Sequence, residues 1–261
     1  MRILIPTYKR SHRLRTTEFL PKVADKVTLI VRPEEAKDYA SLGFDVCKLS
    51  RKAKDISSTR KEVGLIAADM GLDWFLMADD DLRILQRDAA SLKLTPLADG
   101  RKLLSALGAA LRKARQVALS PRFMNQSVTE PLVYTKPQSQ ATAYWTEDYN
   151  SLTFGKAKYF EDVDRTLQLL TTGRQTAMLY NYAIDIGPMN FDGGMADWRN
   201  FPDMSAEAKM MEARWPGIVK ACFADDPGFW NDGQCCGVRP HIKMQWRKAY
   251  REAIYPKPSA G

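Results

Sequence analysis

The chain has 261 residues, 45% of them hydrophobic and 27% charged. That reads as an ordinary soluble globular protein, long enough for a real core in one large domain or two small ones. Its net charge of +8 and pI of about 9.3 set a polyanion partner (nucleic acid, a membrane or nucleotide phosphates) against solubility alone.

The opening, MRILIPTYKR, has too few apolar residues between charges for a signal peptide or a span. A cytoplasmic protein without membrane association is expected. Within it, RILIPTY reads as a short buried strand ended by Pro6 and Thr7. KVTLIVRP, residues 26–33, is a second strand stopped by Pro33. EEAKDYASLG looks helical, with Gly43 as its stop. FDVCKLS is a third strand. In DISSTRKEVGLIAADMG, Ser57 or Ser58 caps a helix carrying Val63, Ile66, Ala67 and Met70, and Gly71 ends it. DWFLMA is a fourth strand. Strands alternating with helices imply a mostly parallel sheet, whose ligands bind beyond the carboxyl ends of the strands.

Three aspartates follow that fourth strand at once, in FLMADDDL, residues 75–82. Like charges side by side repel, so the cluster needs a reason. Alternate residues at a strand end face opposite sides, so Asp79 and Asp81 can converge while Asp80 turns away. Convergent carboxylates call for a cation, and their hard oxygens suit Mg²⁺ or Mn²⁺. Such an ion can hold a nucleotide diphosphate and neutralise a leaving group. The bland alternative is a solvated polar turn.

Further on, DGRKLLSALGAALRKARQVA reads as a helix capped by Asp99, with Leu103, Leu104, Leu107, Leu111 and Ala114 as its apolar stripe. Lys102, Arg112, Lys113 and Arg115 form a basic surface, either simply solvated or in contact with nucleic acid. Residues 120–160 predict short strands and loops. In YFEDVDRTLQLLTTG a second acidic cluster, Glu161, Asp162 and Asp164, opens a helix with Val163, Leu167 and Leu170 inside and Gly173 at its end. Acids in a first turn suit the helix dipole, or one of them serves as a general base near substrate. RQTAMLYNYAIDIG predicts a strand, NFDGGMADWRNF a loop, and SAEAKMMEARWPG a short helix stopped by Pro216. GVRPHIKMQWRKAYREA, with His241, runs into a tail at residues 251–261 that ends in the loose YPKPSAG. The four cysteines, Cys47, Cys222, Cys235 and Cys236, argue against a disulfide framework at this length. The adjacent pair lacks the C-x-x-C spacing of structural zinc.

The order of these parts resembles glycosyltransferases of the GT-A fold. ILIPTYKR is similar to their opening strand and nucleotide-binding turn, and ISSTRKEVGLIAAD to the helix whose arginine approaches the diphosphate. FLMADDDL resembles their aspartate-x-aspartate motif, and FEDVDRTLQLLTTG the Glu-Asp motif that carries the base in inverting members. With NFDGGMADWR and a helix ending in WPG, the chain looks most like the phage branch associated with TET/JBP enzymes. That branch is expected to glycosylate hydroxymethylated pyrimidines in DNA. The resemblance runs over residues 2–241 by motif order.

It implies a single α/β, GT-A-like (Rossmann-related) domain with helices on both sides of a mostly parallel sheet. Residues 1–95 would bind the nucleotide-sugar and residues 96–250 would form a smaller mixed acceptor side. The implied cofactor is Mn²⁺ or Mg²⁺, the co-substrate a nucleotide-sugar, the acceptor DNA, and the location the host cytoplasm if the protein is phage-encoded. Asp81 would hold the metal, and Asp79 would contact the donor ribose or join the metal shell. Asp80 belongs to the same donor-side motif. Arg60 would pair with the diphosphate, and Pro6, Thr7 and Arg10 would line the nucleotide pocket. Asp162 would be the base, supported by Glu161 and Asp164, and His241 a late metal ligand. Trp145, Trp198 and Trp230 would stack a flipped base or, alternatively, pack the core. The segment VRPEEAKDY departs from the usual aspartate-rich turn, which leaves recognition of the donor base open. One rival is a nucleotidyltransferase (pyrophosphorylase), although IPTYKRSHRLR lacks the glycines of its phosphate loop. The other is a catalytically silent nucleic-acid-binding protein, against which the retained acidic clusters argue.

Overall fold

The computed structural model describes residues 1–53, 55–186, 201–225 and 238–256. Strand β1 (Ile3–Pro6) pairs in parallel with β2 (Val27–Val31) and with β4 (Trp74–Ala78), and β2 pairs in parallel with β3 (Asp45–Lys48). These are the four expected strands, and their carboxyl ends share one edge. Beyond β4 the sheet turns mixed. Antiparallel β9 (Ala141–Trp145) lies between β4 and β7 (Gln116–Pro121), and β7 is parallel to β10 (Thr176–Ile186). Then come β5 (Leu82–Arg87) and β6 (Leu94–Pro96), with β8 (Leu132–Tyr134) also on β10. The path is β3-β2-β1-β4-β9-β7-β10-β5-β6. This is an α/β, Rossmann-related fold. Strands from the donor part and the acceptor part join in one sheet, since β5 pairs with β10.

Three local readings are corrected. The cap of α3 (Ile56–Asp69) is Asp55, not Ser57 or Ser58: its carboxylate accepts from Ser58 N–H at 2.7 Å, and the Ser58 hydroxyl returns the bond as a capping box. The helix after Asp99, α4 (Gly100–Leu111), stops four residues before β7, whereas the predicted stretch ran on through Val117 and Ala118. There pairing on both flanks overrides local helix preference. The ribbon β5–β6 follows directly on the aspartates, where no strand was expected.

Helices cover both faces. Leu103, Leu104, Leu107 and Leu111 of α4 pack with Ile3, Ile5 and Leu76 on one face. Val63 and Ala67 of α3 pack with Leu4, Phe75 and Tyr144 on the other. On that second face α6 (Thr146–Asn150) crosses α3 at Gly64, where a Cβ would stand 2.5 Å from Tyr149 and Asn150 atoms. Only glycine allows this approach. It lets Asn150 Nδ2 bond Gly64 O at 2.9 Å, and Tyr149 OH bond Arg60 O at 3.0 Å.

A smaller core joins α7 (Glu161–Thr171), α8 (Phe201–Arg214), the antiparallel pair β11 (Val219–Asp225) and β12 (Val238–Met244), and α9 (Trp246–Ile254). Helix α9 thus reaches into the stretch expected to be the tail. Val163, Leu167 and Leu170 of α7 are in this core as expected, and Gly173 takes φ +75° past the helix end. Cys47 and Cys222 are free thiols, while Cys235 and Cys236 lie outside the described residues. No described helix is long and apolar enough to cross a membrane.

Candidate active site at the carboxyl edge of the sheet

The three aspartates leave β4 at the edge where β1 also ends, and they separate. Asp80 turns inward and is 5% exposed. Thr7 Oγ1 donates to it at 2.6 Å and Arg10 Nη1 at 2.6 Å. Burial holds the Asp80 carboxyl above its ordinary range, against the stabilising pull of Thr7 and Arg10. Asp79 and Asp81 stay more accessible. Asp79 pairs with Arg60 from α3, and Asp81 with Arg10 at 3.0 Å. The repulsion of the triplet is thus relieved by two arginines and by splitting the side chains between the two sides of the strand.

Thr16, which no motif signalled, pins this turn. Its hydroxyl donates to Asp79 O at 2.6 Å and accepts from Leu82 N–H at 2.9 Å, and its own N–H donates to Asp80 O at 3.1 Å. Tyr39 is a second unforeseen member. Its hydroxyl bonds Thr7 Oγ1 at 3.0 Å and accepts from Arg10 N–H at 2.9 Å. The glycine-free turn after Pro6 is made by Lys9 at φ +55°, whose N–H is held by Glu35 at 2.7 Å.

The second acidic cluster heads α7 on the face that carries α3. Glu161 pairs with Arg165, one turn along the helix. Burial pushes both Glu161 and Asp162 up from the usual carboxylate range, while Arg165 and Arg60 pull them back. Burial alone would depress the Arg60 guanidinium, but Asp79 and Glu161 outweigh it and hold it above its ordinary value. Arg60 therefore feels both acidic clusters, which lie about eighty residues apart in the chain. Arg165 was not singled out from the sequence, where it reads as one more charge on a helix.

Asp162 accepts from Val163 N–H at 2.8 Å, one of the first-turn N–H groups that have no partner within the helix. Asp164 was expected to support it and does not. Residues two apart on a helix do not face each other. Asp164 is 3% exposed and locked by Arg214 Nε at 2.8 Å, Trp215 Nε1 at 2.8 Å and Gln168 Nε2 at 2.9 Å. It ties α7 to the end of α8. Asp164→Ala should therefore cost roughly 1–3 kcal/mol of stability, because it removes the shared acceptor of Arg214, Trp215 and Gln168, with Arg214 still partly open to water. Melting should fall by about 5 °C in calorimetry; an unchanged melting temperature would remove this role. From α8, Glu207 accepts the backbone N–H groups of Lys158, Tyr159 and Phe160 at 2.9, 2.7 and 2.8 Å, fixing the entry to α7.

Trp145 is misplaced for base stacking. Strand β9 runs antiparallel to β4, so its last residue pairs with Trp74, the first of β4, at the edge opposite the aspartates. Its indole N–H is spent on Leu111 O at 2.9 Å. Arg112, Lys113 and Arg115 of the basic surface line a concavity of about 550 Å³ at that same far edge. Trp198 and Trp230 lie outside the described residues. His241 sits half-buried in β12, opposite Cys222. Among the described residues no three His, Cys, Asp or Glu side chains are grouped to hold a metal, so His241 does not form a preformed set with Asp79 and Asp81.

Among solved structures, the chain is similar to a putative nucleotide-diphospho-sugar transferase from Desulfovibrio desulfuricans G20, at 12% identity over 69% of this chain and 80% of that one, TM-score 0.41. It is similar to a mannose-1-phosphate geranyltransferase from Thermus thermophilus, at 12% identity over 79% and 78%, TM-score 0.42. A third likeness is to a CMP:2-keto-3-deoxy-manno-octonic acid synthetase complexed with CTP, at 12% identity over 82% and 98%, TM-score 0.45. No curated protein matches the chain. The model of one family, TET-Associated Glycosyltransferase, matches residues 1–187, a stretch that runs from β1 past both acidic clusters to the end of β10. The chain belongs to the TET-associated glycosyltransferase family.

Proposed function

We propose that this glycosyltransferase moves a sugar from a nucleotide-sugar to the hydroxyl of a hydroxymethylated pyrimidine in DNA. The observation that supports the reading is the buried Arg60, ion-paired with Asp79 at the end of β4 and close enough to the head of α7 to feel Glu161. A donor seated over the ends of β1 and β4 would have its reacting carbon facing the head of α7.

In this reading Arg10 and Arg60 take up charge developing on the diphosphate as the bond from the anomeric carbon to the phosphate oxygen breaks. The acceptor oxygen forms the new bond to that carbon and its proton passes to Asp162. Burial raises the carboxyl's proton affinity, which makes Asp162 a better base than a solvated aspartate. Arg165 keeps Glu161 paired, so that Asp162 carries the exchangeable proton. Asp79 and Asp81 are partly exposed carboxylates two residues apart, all-oxygen donors that fit Mg²⁺ or Mn²⁺, ions that take one or two carboxylates and complete their shell with phosphate and water. When bound there, the cation would offset charge on the leaving diphosphate.

The test is incubation with a panel of nucleotide-sugars and with DNA containing hydroxymethylcytosine or hydroxymethyluracil, read by mass spectrometry of the digested nucleosides. A sugar increment on the modified nucleoside is expected. Transfer only to a protein or small hydroxyl compound would replace the acceptor. Release of pyrophosphate from a nucleoside triphosphate would replace the reaction class.

The basic excess gives a second check. DNA binding should weaken steeply with salt, with a log–log slope near about −0.9 for each duplex phosphate neutralised. Filter binding or anisotropy that detects no DNA complex even at low salt would rule out a polynucleotide acceptor.

A further inference from the structure

Phe123 is 84% exposed, the most exposed large apolar side chain in the described part of the chain, and Met124 beside it is 40% exposed. A lone apolar residue on a surface needs no explanation. The position and anchoring of this one do. It sits on the four-residue helix α5 (Arg122–Asn125) that leaves the carboxyl end of β7.

The sheet register places α5 relative to the aspartates. Met77 of β4 pairs with Thr142 of β9, and Thr142 with Ala118 of β7. Two residues further along, Asp79 N–H donates to Gln140 O at 2.9 Å, and Ser120 stands at the same level on β7. With strands about 4.8 Å apart, Ser120 lies roughly 10 Å across the sheet from Asp79. The face is also shared. Gln116 and Ser120 are four residues apart on a strand and point the same way, and Gln116 Nε2 reaches Thr166 Oγ1 of α7 at 3.5 Å. So α5 rises from the face and the edge that carry the head of α7 and the aspartates.

The helix is held, not loose. Asn125 is fully buried; its amide nitrogen donates to Ser120 Oγ and, at 2.9 Å, to Tyr180 O. Arg87 Nη1 and Nη2 hold the carbonyls of Asn125 and Thr129 at 3.2 and 3.3 Å. Arg122 is fixed on Asp185 of β10 at 2.9 Å. A water-exposed phenyl ring on a held helix therefore stands at the sheet edge where the aspartates leave β4, two strands away from them.

We propose that Phe123 is a wedge that enters the base stack of duplex DNA and fills the space left by the extruded acceptor nucleotide. This rests on the reading of a DNA base as acceptor. Such a base must leave the helix to meet Asp162, and the gap it leaves is costly to keep empty. Phe, Met and Leu are the side chains that enter base steps. The chain's +8 net charge suits the duplex that would carry them there. A phenyl ring stacks on any base, so the contact would be tolerant of flanking sequence.

The experiment compares the unaltered protein with Phe123→Ala and Phe123→Leu on two acceptors, a duplex and a short single strand, each with one hydroxymethylcytosine. A 2-aminopurine placed next to the target reports unstacking independently of turnover. Phe123→Ala should lower kcat/KM on the duplex by roughly ten- to a hundred-fold, the range of one lost base stack. It should leave transfer to the single strand within about two-fold, since no stack needs filling there. The 2-aminopurine signal on binding duplex should fall with it, and Phe123→Leu should restore most of both. The exposed side chain makes no core contact, so the variant's melting temperature should match the parent's. Equal losses on duplex and single strand, or no loss on either, would overturn the wedge while leaving the DNA acceptor intact. Absence of transfer to any DNA by the unaltered protein would overturn both.

Discussion

Replacing Asp162 by asparagine is expected to cut transfer about 10²- to 10⁴-fold, the usual contribution of a general base. Nucleoside diphosphate binding should survive, because Arg10, Arg60 and the aspartate edge are untouched. Asparagine keeps the oxygen that caps Val163 N–H, so the fold should hold. The pH profile supplies a second reading of the same residue. Burial raises the Asp162 carboxyl, with Arg165 pulling it back. A protonated carboxyl accepts no proton, so activity must fall as pH drops through this raised value. The acid limb of kcat/KM should therefore lie above the ordinary aspartate value of about 3.9 and vanish in Asp162→Asn. Asp164→Asn should leave the limb in place, since Asp164 is committed to Arg214 and Trp215. A near-normal rate for Asp162→Asn would move the base elsewhere. Loss of donor binding in the same variant would make the cluster structural.

Asp81→Ala should lower transfer by at least about 10²- to 10³-fold, since a cation at a leaving diphosphate contributes several kcal/mol. Excess EDTA should do the same to the unaltered protein, and Mn²⁺ or Mg²⁺ should restore it. Calorimetric titration of nucleoside diphosphate with Mn²⁺ should lose its heat in Asp81→Ala. Asp80→Ala should fail differently. Its carboxylate is held by Thr7 and Arg10, so its removal should loosen the β1 turn and lower the melting temperature. Full activity in excess chelator would exclude the metal and leave the two arginines as the cations that meet the diphosphate.

Much of the donor edge was legible in the chain. The four strands before residue 80 announced themselves as short apolar runs ended by proline or charge, and their order predicted parallel pairing. Asp80 was expected to turn from its neighbours by strand alternation alone, and it does. Asp99, Gly71 and Gly173 stand at helix ends as their residue types require. Other features were illegible. Nothing in LRILQR, directly after three aspartates, marked it as the strand β5, because its partner β10 lies about a hundred residues on. The caps at Asp55 and Glu207 were missed for related reasons. Asp55 competes locally with two serines for one role, and Glu207 caps a segment nearly fifty residues away.

The sequence by itself determined the alternation of strands and helices, the placement of three aspartates at a strand end and of three acids in a helix's first turn. These follow from spacing along one stretch of chain, where backbone period and side-chain type act alone. Only the tertiary structure decided which acids share a site. Glu161 pairs with the buried Arg165, and both Glu161 and Asp162 feel Arg60, while Asp164 turns to Arg214 and Trp215. Trp145 ends at the far edge because β9 runs against β4. Phe123 shares the edge of the aspartates because β7 lies two places from β4 and ends level with it. Strand order and direction are set by how whole faces pack, and the energy of a buried charge depends on partners that the chain brings in from afar.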